Sequence, residues 1–538
     1  MTLFQTSGPD TNLEQLPLMP PAELRRRWRA GEDVALLDVR EEGPYSLSHP
    51  FFAVSLPLSQ IELRILDLIP RLTAPIVVYD DGEGYAARAV PRIRALGYSD
   101  VSILEGGLAG YARFGEVFRD VNVPSKAFGE LVEAVRHTPS LSADEAKALI
   151  ETESNLVVLD ARRFEEYRTM SIPRGVSVPG GELAFRAREI APSADTTIIV
   201  NCAGRTRSII GTQSLINAGL PNRIYALRNG TIGWTLAGHQ VERGKAARFL
   251  ERPQTSYAAA LADAKAWAER VGVKLLDRTA FDRLRAEEDQ RTLYCLDVRT
   301  PEEYATSHPD GFVSAPGGQL VQATDEWVGV RGARLVLFDD DGVRARMTAS
   351  WLVQMGWDAS IVGPDVVAPS ETGLRIARRP AVPDLGAAAI GADELAAHPS
   401  AWTIVDLTRS PVYKAGHIPG AHFVLASRFA EDLAKLPGDG AIVLTSEDGA
   451  EAALALPDAR ATTARDVRVL VGGTRAWAAS GRELDRDQMS WISNADDVYK
   501  RPYEGTDNAA QAMQAYIDWE LQLVAQLAND SVSNFHVV

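Results

Sequence analysis

One unit is written four times along this chain, and that repetition constrains its fold more than anything else. A short apolar run ending in aspartate occurs as VALLDVR (to Arg40), LVVLDAR (to Arg162), LYCLDVR (to Arg299) and WTIVDLTR (to Arg409). A second apolar run follows each one: IVVYD ending at Asp80, IIVNC at Cys202, LVLFD at Asp339 and IVLTS at Ser446. The separation is 42 residues from Asp38 to Asp80, from Asp160 to Cys202 and from Asp297 to Asp339, and 40 from Asp406 to Ser446. A fixed period of this kind marks duplicated structural units. A third element closes the unit: SILEGGLAGY around Gly107, YALRNGTIGW around Gly230 and VLVGGTRAW around Gly473, with a degraded SIVGPDVV near Gly363.

Bounded apolar runs read as buried strands, and the stretches between them read as helices. In the second unit Ser142 and Glu145 form a capping box that predicts a helix through Ile150. Strands are predicted at 156–160, 197–201 and 223–227, and a helix from Arg207 to Ala218 with Gly219 as its stop. Alternating strands and helices predict an α/β fold, each unit a mostly parallel sheet flanked by helices. Units of about 110 residues are of single-domain size. The expected boundaries are 15–122, 135–248, 272–376 and 386–484, followed by a helical tail at 485–538. The connector SYAAALADAKAWAERVG reads as a linker helix and ARRPAVPDLG as a proline-rich joint. In the tail, Met513, Ile517, Leu521, Val524 and Ala528 fall on one face of a docking helix.

Composition narrows the function. The 538 residues carry a formal charge of −16, from 56 basic and 72 acidic side chains. Such a surface repels phosphate backbones and anionic lipid, so nucleic-acid and membrane partners are not expected. No stretch approaches the ~18 apolar residues of a membrane span, and MTLFQTSGPD lacks the basic start and apolar run of a signal peptide. The two cysteines, Cys202 and Cys295, cannot build a disulfide framework or a thiolate zinc site, which points to a reducing cytoplasm. His49, His239, His308, His417 and His422 show no ligand spacing, and Asp339–Asp341 lacks the further carboxylates of a calcium loop. No metal and no cofactor are expected. Cys295, inside LYCLDV, reads as a buried apolar filler. Trp234 reads equally as pocket lining or as core.

Chemistry gathers at Cys202-Ala-Gly-Arg-Thr-Arg207. A strand ends, a short loop turns, and a helix begins, so the loop amides converge at the positive end of the helix dipole. With Arg205 and Arg207 nearby, Cys202 is expected to have a lowered pKa and to be largely thiolate. Such a cysteine is a nucleophile facing an anionic substrate. Two chemistries use a loop of this kind: transfer of a sulfane sulfur, and attack on a phosphate ester. A phosphoryl group needs a wider ring of amides, and four residues between Cys202 and Arg207 favour sulfur.

DAR at 160–162, CAGRTR at 202–207 and RNGTIGW resemble a rhodanese domain. DVR at 38–40, DVRTPEEY at 297–304, AGHIPGAH at 415–422 and VGGTRAW at 471–477 extend the resemblance to the other units. Over residues 15–485 the chain is similar to bacterial thiosulfate sulfurtransferases with four tandem rhodanese domains. The resemblance implies that Cys202 takes the outer sulfur of thiosulfate as a persulfide, releases sulfite, and passes the sulfur to cyanide or a thiol. It implies that Arg205 and Arg207 hold the sulfonate. The amides of Ala203, Gly204, Arg205, Thr206 and Arg207 would stabilise the terminal sulfur, and Asp160 and Arg162 would brace the loop. The corresponding loops DDGEGY, DDDGVR and SEDGAE have no cysteine, so the other three units are expected to be catalytically silent. Two alternatives stay open: a persulfide carrier serving a protein partner, and a small-anion phosphatase or arsenate reductase.

Overall fold

The computed structural model describes residues 16–249, 252–253 and 255–538; the N-terminal segment read for a signal peptide lies outside them. Each unit is built on a parallel sheet with one strand order. In the second unit the order is Gly175–Ser177, Leu156–Asp160, Thr197–Asn201, Arg223–Leu227, Ser140–Leu141. LVVLD and TIIVN are apolar on both faces because helices cover both, as the α/β expectation required. The ladder pairs Asn201 with Asp160, so the two central strands end level and their loops emerge side by side. The fourth sheet gains a sixth strand, Ser490–Trp491, from the tail.

Local signals in the second unit map onto the elements observed. Ser142 and Glu145 cap helix Ala143–Thr152 reciprocally. The helix expected from Arg207 runs over Thr206–Asn217, and Gly219 ends it with φ +65°. The linker helix, Tyr257–Val271, buries Ala260, Ala264, Trp267 and Val271 against the second unit's core. The degraded third element has a structural counterpart: among the described residues no helix follows strand Asp358–Val362 until Gly386.

The tail departs from the expected single stripe. It forms two helices, Ala510–Glu520 and Leu523–Asp530, and the chain turns between them. Met513, Ile517, Leu523 and Leu527 are buried with Trp28, Phe52 and Phe118 of the first unit, while Leu521 is 55% exposed. The break rotates the second helix, so the face counted through Leu521 and Ala528 is not the buried one.

The units pack closely. Gly181 and Gly318 meet backbone to backbone, and a Cβ on Gly181 would stand 2.7 Å from the Gly318 nitrogen. Arg344 of the third unit reaches Glu182 of the second at 2.9 Å. Tyr294 donates to the Leu68 carbonyl at 2.7 Å, joining the third unit to the first. Ser427 donates to Glu41 at 2.7 Å, joining the fourth to the first. Among the described residues no helix is long and apolar enough to cross a membrane.

Candidate active site

Cys202 directly follows strand Thr197–Asn201, and helix Thr206–Asn217 begins four residues later. The loop carbonyls are turned outward and held there. The Cys202 carbonyl accepts from the Thr231 N–H at 2.8 Å and its hydroxyl at 3.0 Å, and the Ala203 carbonyl from the Ile232 N–H at 2.9 Å. The Cys202 and Ala203 carbonyls are thus committed to helix Gly230–Leu236 and do not point into the loop's own turn. Gly230 permits this approach. Its φ is +53°, and a Cβ there would meet the Cys202 carbonyl oxygen at 2.3 Å. Gly230→Ala is therefore expected to cost more than the ~1–2 kcal/mol of a left-handed alanine. Thermal melting should show the loss as a lowered midpoint.

The same register appears in all four loops. The Ser208 N–H and hydroxyl face the Cys202 thiol. Six residues after each loop's first position, Asp80 accepts from the Ala86 N–H at 2.9 Å, Asp339 from Ala345 at 2.8 Å and Ser446 from Ala452 at 3.3 Å. Asp80 also accepts from Gly82 at 3.1 Å and Asp339 from Gly342 at 2.9 Å. In the first and third units a built-in carboxylate thus fills the place that an anionic sulfur would take in the second. The remaining acidic residues of the DDD turn are also committed: Asp341 pairs with Arg344 at 2.7 Å, and Asp340 with Arg252 at 3.2 Å.

The charge around Cys202 differs from the sequence expectation. The thiol is 1% exposed. Burial pushes its pKa up, opposed by Arg207 and the Ser208 N–H, so the resting cysteine is not the low-pKa thiolate expected from the flanking arginines. Neither arginine is a free charge. Arg205 forks onto Glu130 at 2.7 and 2.8 Å, pairs with Glu133, and reaches Asn229 at 3.0 Å. Arg207 forks onto Glu166 at 2.7 and 2.9 Å; against the burial that pushes Glu166 up, Arg207 holds it down to about 2. Asp160 and Arg162 lie beside the loop. Arg162 donates to Asp160 at 2.8 and 2.7 Å and to the Met170 carbonyl at 2.5 Å, while Asn201 donates to Asp160 at 2.8 Å. This ties the end of the cysteine strand to its neighbour. The same aspartate–arginine fork stands at Asp38–Arg40 and Asp297–Arg299. In the fourth unit Thr408 bonds Asp406 instead, and Arg409 turns to Glu42.

Sequence reasoning missed the residues that close the site from outside the unit. Tail residues Tyr516 and Glu520 pack on Gly204, each 3.2 Å from where its Cβ would stand. Lys126, 1% exposed, pairs with Asp120 and lies over the rings of Tyr516 at 5.2 Å and Trp519 at 5.5 Å. The only sequence signal for these was the aromatic content of the tail.

Comparison with known proteins meets this geometry. The family profile described as "Rhodanese-like domain" matches residues 20–113, 142–237, 279–363 and 391–480. The chain belongs to the rhodanese-like family. The crystal structure of a thiosulfate sulfurtransferase from Pseudomonas aeruginosa is 50% identical, with a TM-score of 0.94, covering 97% of this chain and 100% of that one. A thiosulfate sulfurtransferase of Azotobacter vinelandii is 26% identical over 234 residues, 36% of this chain and 85% of the relative. A putative sulfur carrier protein of Bacillus subtilis is 29% identical over 97 residues, 18% of this chain and 51% of the relative.

The other singled-out residues belong to the framework of these rhodanese units. Trp234 is 2% exposed in the second unit's core and donates to the Gln240 carbonyl at 2.9 Å. Cys295 lies in strand Leu293–Asp297 among Phe312, Val336 and Phe338, and burial pushes its thiol up to about 11. His49, His308 and His417 each stack on the tyrosine four residues before, with ring centroids 3.8–4.1 Å apart.

Proposed function

We propose that this rhodanese moves the sulfane sulfur of thiosulfate to a thiophilic acceptor through a persulfide on Cys202. It is an enzyme of the sulfurtransferase class, as its full-length similarity to the Pseudomonas thiosulfate sulfurtransferase indicates. The observation that carries the finer reading is the shared loop register: the place taken by a carboxylate at Asp80 and Asp339 is taken by a thiol at Cys202.

The thiol first gives up its proton to solvent, and Arg207 with the Ser208 N–H offsets the cost of a buried thiolate. The thiolate attacks the outer sulfur, a new S–S bond forms, and the thiosulfate S–S bond breaks. Sulfite departs with the electron pair. The persulfide's terminal sulfur then lies among the amides of Ala203 to Arg207, where preorganised donors stabilise negative charge. An acceptor thiolate or cyanide attacks that sulfur and returns Cys202 as thiolate. The arginines act here through their ion pairs: Arg207 shapes the field at the sulfur, and Arg205 anchors the loop to helix Val123–Arg136.

Mass spectrometry after thiosulfate treatment should find one added sulfur on the Cys202 peptide and none on that of Cys295. An unmodified Cys202 peptide would remove the persulfide from the mechanism. A second reading, delivery of the sulfur to a dedicated protein, draws on the similarity to the putative Bacillus sulfur carrier. It requires that a partner discharge the Cys202 persulfide faster than small thiols do.

A further inference from the structure

The tail sets a buried acid against the Cys202 loop. Glu520 closes helix Ala510–Glu520 and is 1% exposed. Its Oε1 accepts from the Tyr516 hydroxyl at 2.9 Å. Its Oε2 is buried and has no hydrogen-bond partner among the described residues. That oxygen lies over the loop, 3.2 Å from where a Cβ on Gly204 would stand. Buried polar atoms are nearly always paired, so an orphan set against the cysteine loop calls for a partner from outside the protein.

The protonation state decides what this oxygen offers. Burial pushes Glu520 up to about 8, and Glu130 adds to the rise. Lys126, the Tyr516 hydroxyl and Arg205 oppose it. The groups facing it are therefore Lys126 and Glu130 from helix Val123–Arg136, Arg205 and Cys202 from the loop, and Tyr516 from its own helix. Tyr503, from the segment before that helix, packs against Tyr516 at 5.4 Å. Burial thus favours the protonated acid near neutrality: Oε1 is satisfied as acceptor, and Oε2 is the oxygen left to carry the O–H. A carboxylic acid kept neutral by its surroundings is a strong donor to an oxyanion.

We propose that Glu520 supplies the tail's half of the anion site, donating a hydrogen bond from its unpartnered oxygen to the sulfur oxyanion bound at the Cys202 loop. This rests on Cys202 being the sulfur-handling site. The neutral acid adds a donor without adding a negative charge, which suits a dianion at a buried loop. Once ionised, Glu520 has no proton to give and faces the substrate with like charge. Sequence order hides the arrangement, because the acid stands more than 300 residues beyond the loop it completes.

The test is thiosulfate binding by calorimetry, from below to above pH 8, in the full chain carrying Cys202→Ser, which cannot turn over. Binding should weaken about tenfold per pH unit above the Glu520 midpoint, because only the protonated form accepts the anion. Adding Glu520→Gln, which keeps size and a donor but cannot ionise, should abolish that slope and hold the neutral-pH affinity. Adding Glu520→Ala should weaken binding at every pH. A slope that survives in the Gln variant would place the titration elsewhere, on Lys126 for example, and overturn the proposal, as would a flat profile or no binding before the Glu520 change. Sulfite release by the unmodified chain is read separately. Its absence alongside an intact Glu520 slope would overturn the persulfide reading alone, and normal release with flat binding would overturn the Glu520 role alone.

Discussion

Cys202→Ser is expected to bring sulfite release down to the uncatalysed background while the chain melts with the wild type. The chemical loss follows from replacing a soft, ionisable sulfur nucleophile by a hydroxyl that does not ionise. The folding expectation follows from the chain itself. The fourth unit already carries serine at this loop position, and Ser446 accepts from the Ala452 N–H at 3.3 Å, in the register that Cys202 holds with Ser208. A serine at 202 therefore finds the hydrogen-bond frame it has at 446. Single-turnover sulfite release and thermal unfolding are the two measurements. Turnover near the wild-type rate would require another nucleophile, and Cys295 does not qualify: it sits inside a strand, with its thiol pushed up to about 11.

Two of the three loops without a cysteine are filled rather than merely emptied. Sequence alone suggests repulsion of thiosulfate by the acidic residues. In the structure, Asp80 and Asp339 use both side-chain oxygens to satisfy loop amides, so each cradle is occupied by a tethered carboxyl group. Arg344, which stands where the second unit has Arg207, is consumed by Glu182, Glu303 and Asp341. The connector after the first unit supplies the helix Val123–Arg136 that holds Arg205, and the first unit itself much of the core on which the tail docks. The third supplies the glycine contact at Gly180 and Gly181.

What could be read along the chain was what short-range physics writes there. Apolar runs bounded by turn residues marked the strands, Ser142 with Glu145 marked a helix start, and Gly219 a helix stop. The constant spacing placed Cys202 at a strand end. Everything that depends on a distant partner was hidden. The flanking arginines looked like free positive charge because Glu130 lies 75 residues before Arg205, and Glu166 lies 41 before Arg207. Cys202 looked like a ready thiolate because the burial of its thiol in the folded chain cannot be seen in the loop. The tail stripe was miscounted because periodicity assumes an unbroken helix, and this one turns after Glu520.

Arg205 and Arg207 stand two residues apart and should fail in different ways. Arg205→Ala strands Glu130, whose side chain is 5% exposed, without its cation. Breaking a buried pair from one side costs about 3–5 kcal/mol, so the midpoint of denaturant unfolding should fall markedly. Loss of sulfite release should follow the loss of folded protein. Arg207→Ala leaves Glu166 with its side chain 27% exposed, where water offsets part of the loss, so its stability cost is smaller. Its larger effect falls on chemistry, because Arg207 is the leading influence against the burial that pushes the Cys202 thiol up. A charge-assisted interaction of about 1.5–3 kcal/mol corresponds to a drop in kcat/KM of roughly ten- to a hundredfold. The pH profile of Cys202 alkylation should shift upward in Arg207→Ala and stay in place in Arg205→Ala. The reverse pattern, a KM effect in a fully stable Arg205→Ala, would mean that Arg205 leaves Glu130 and turns to the substrate during turnover.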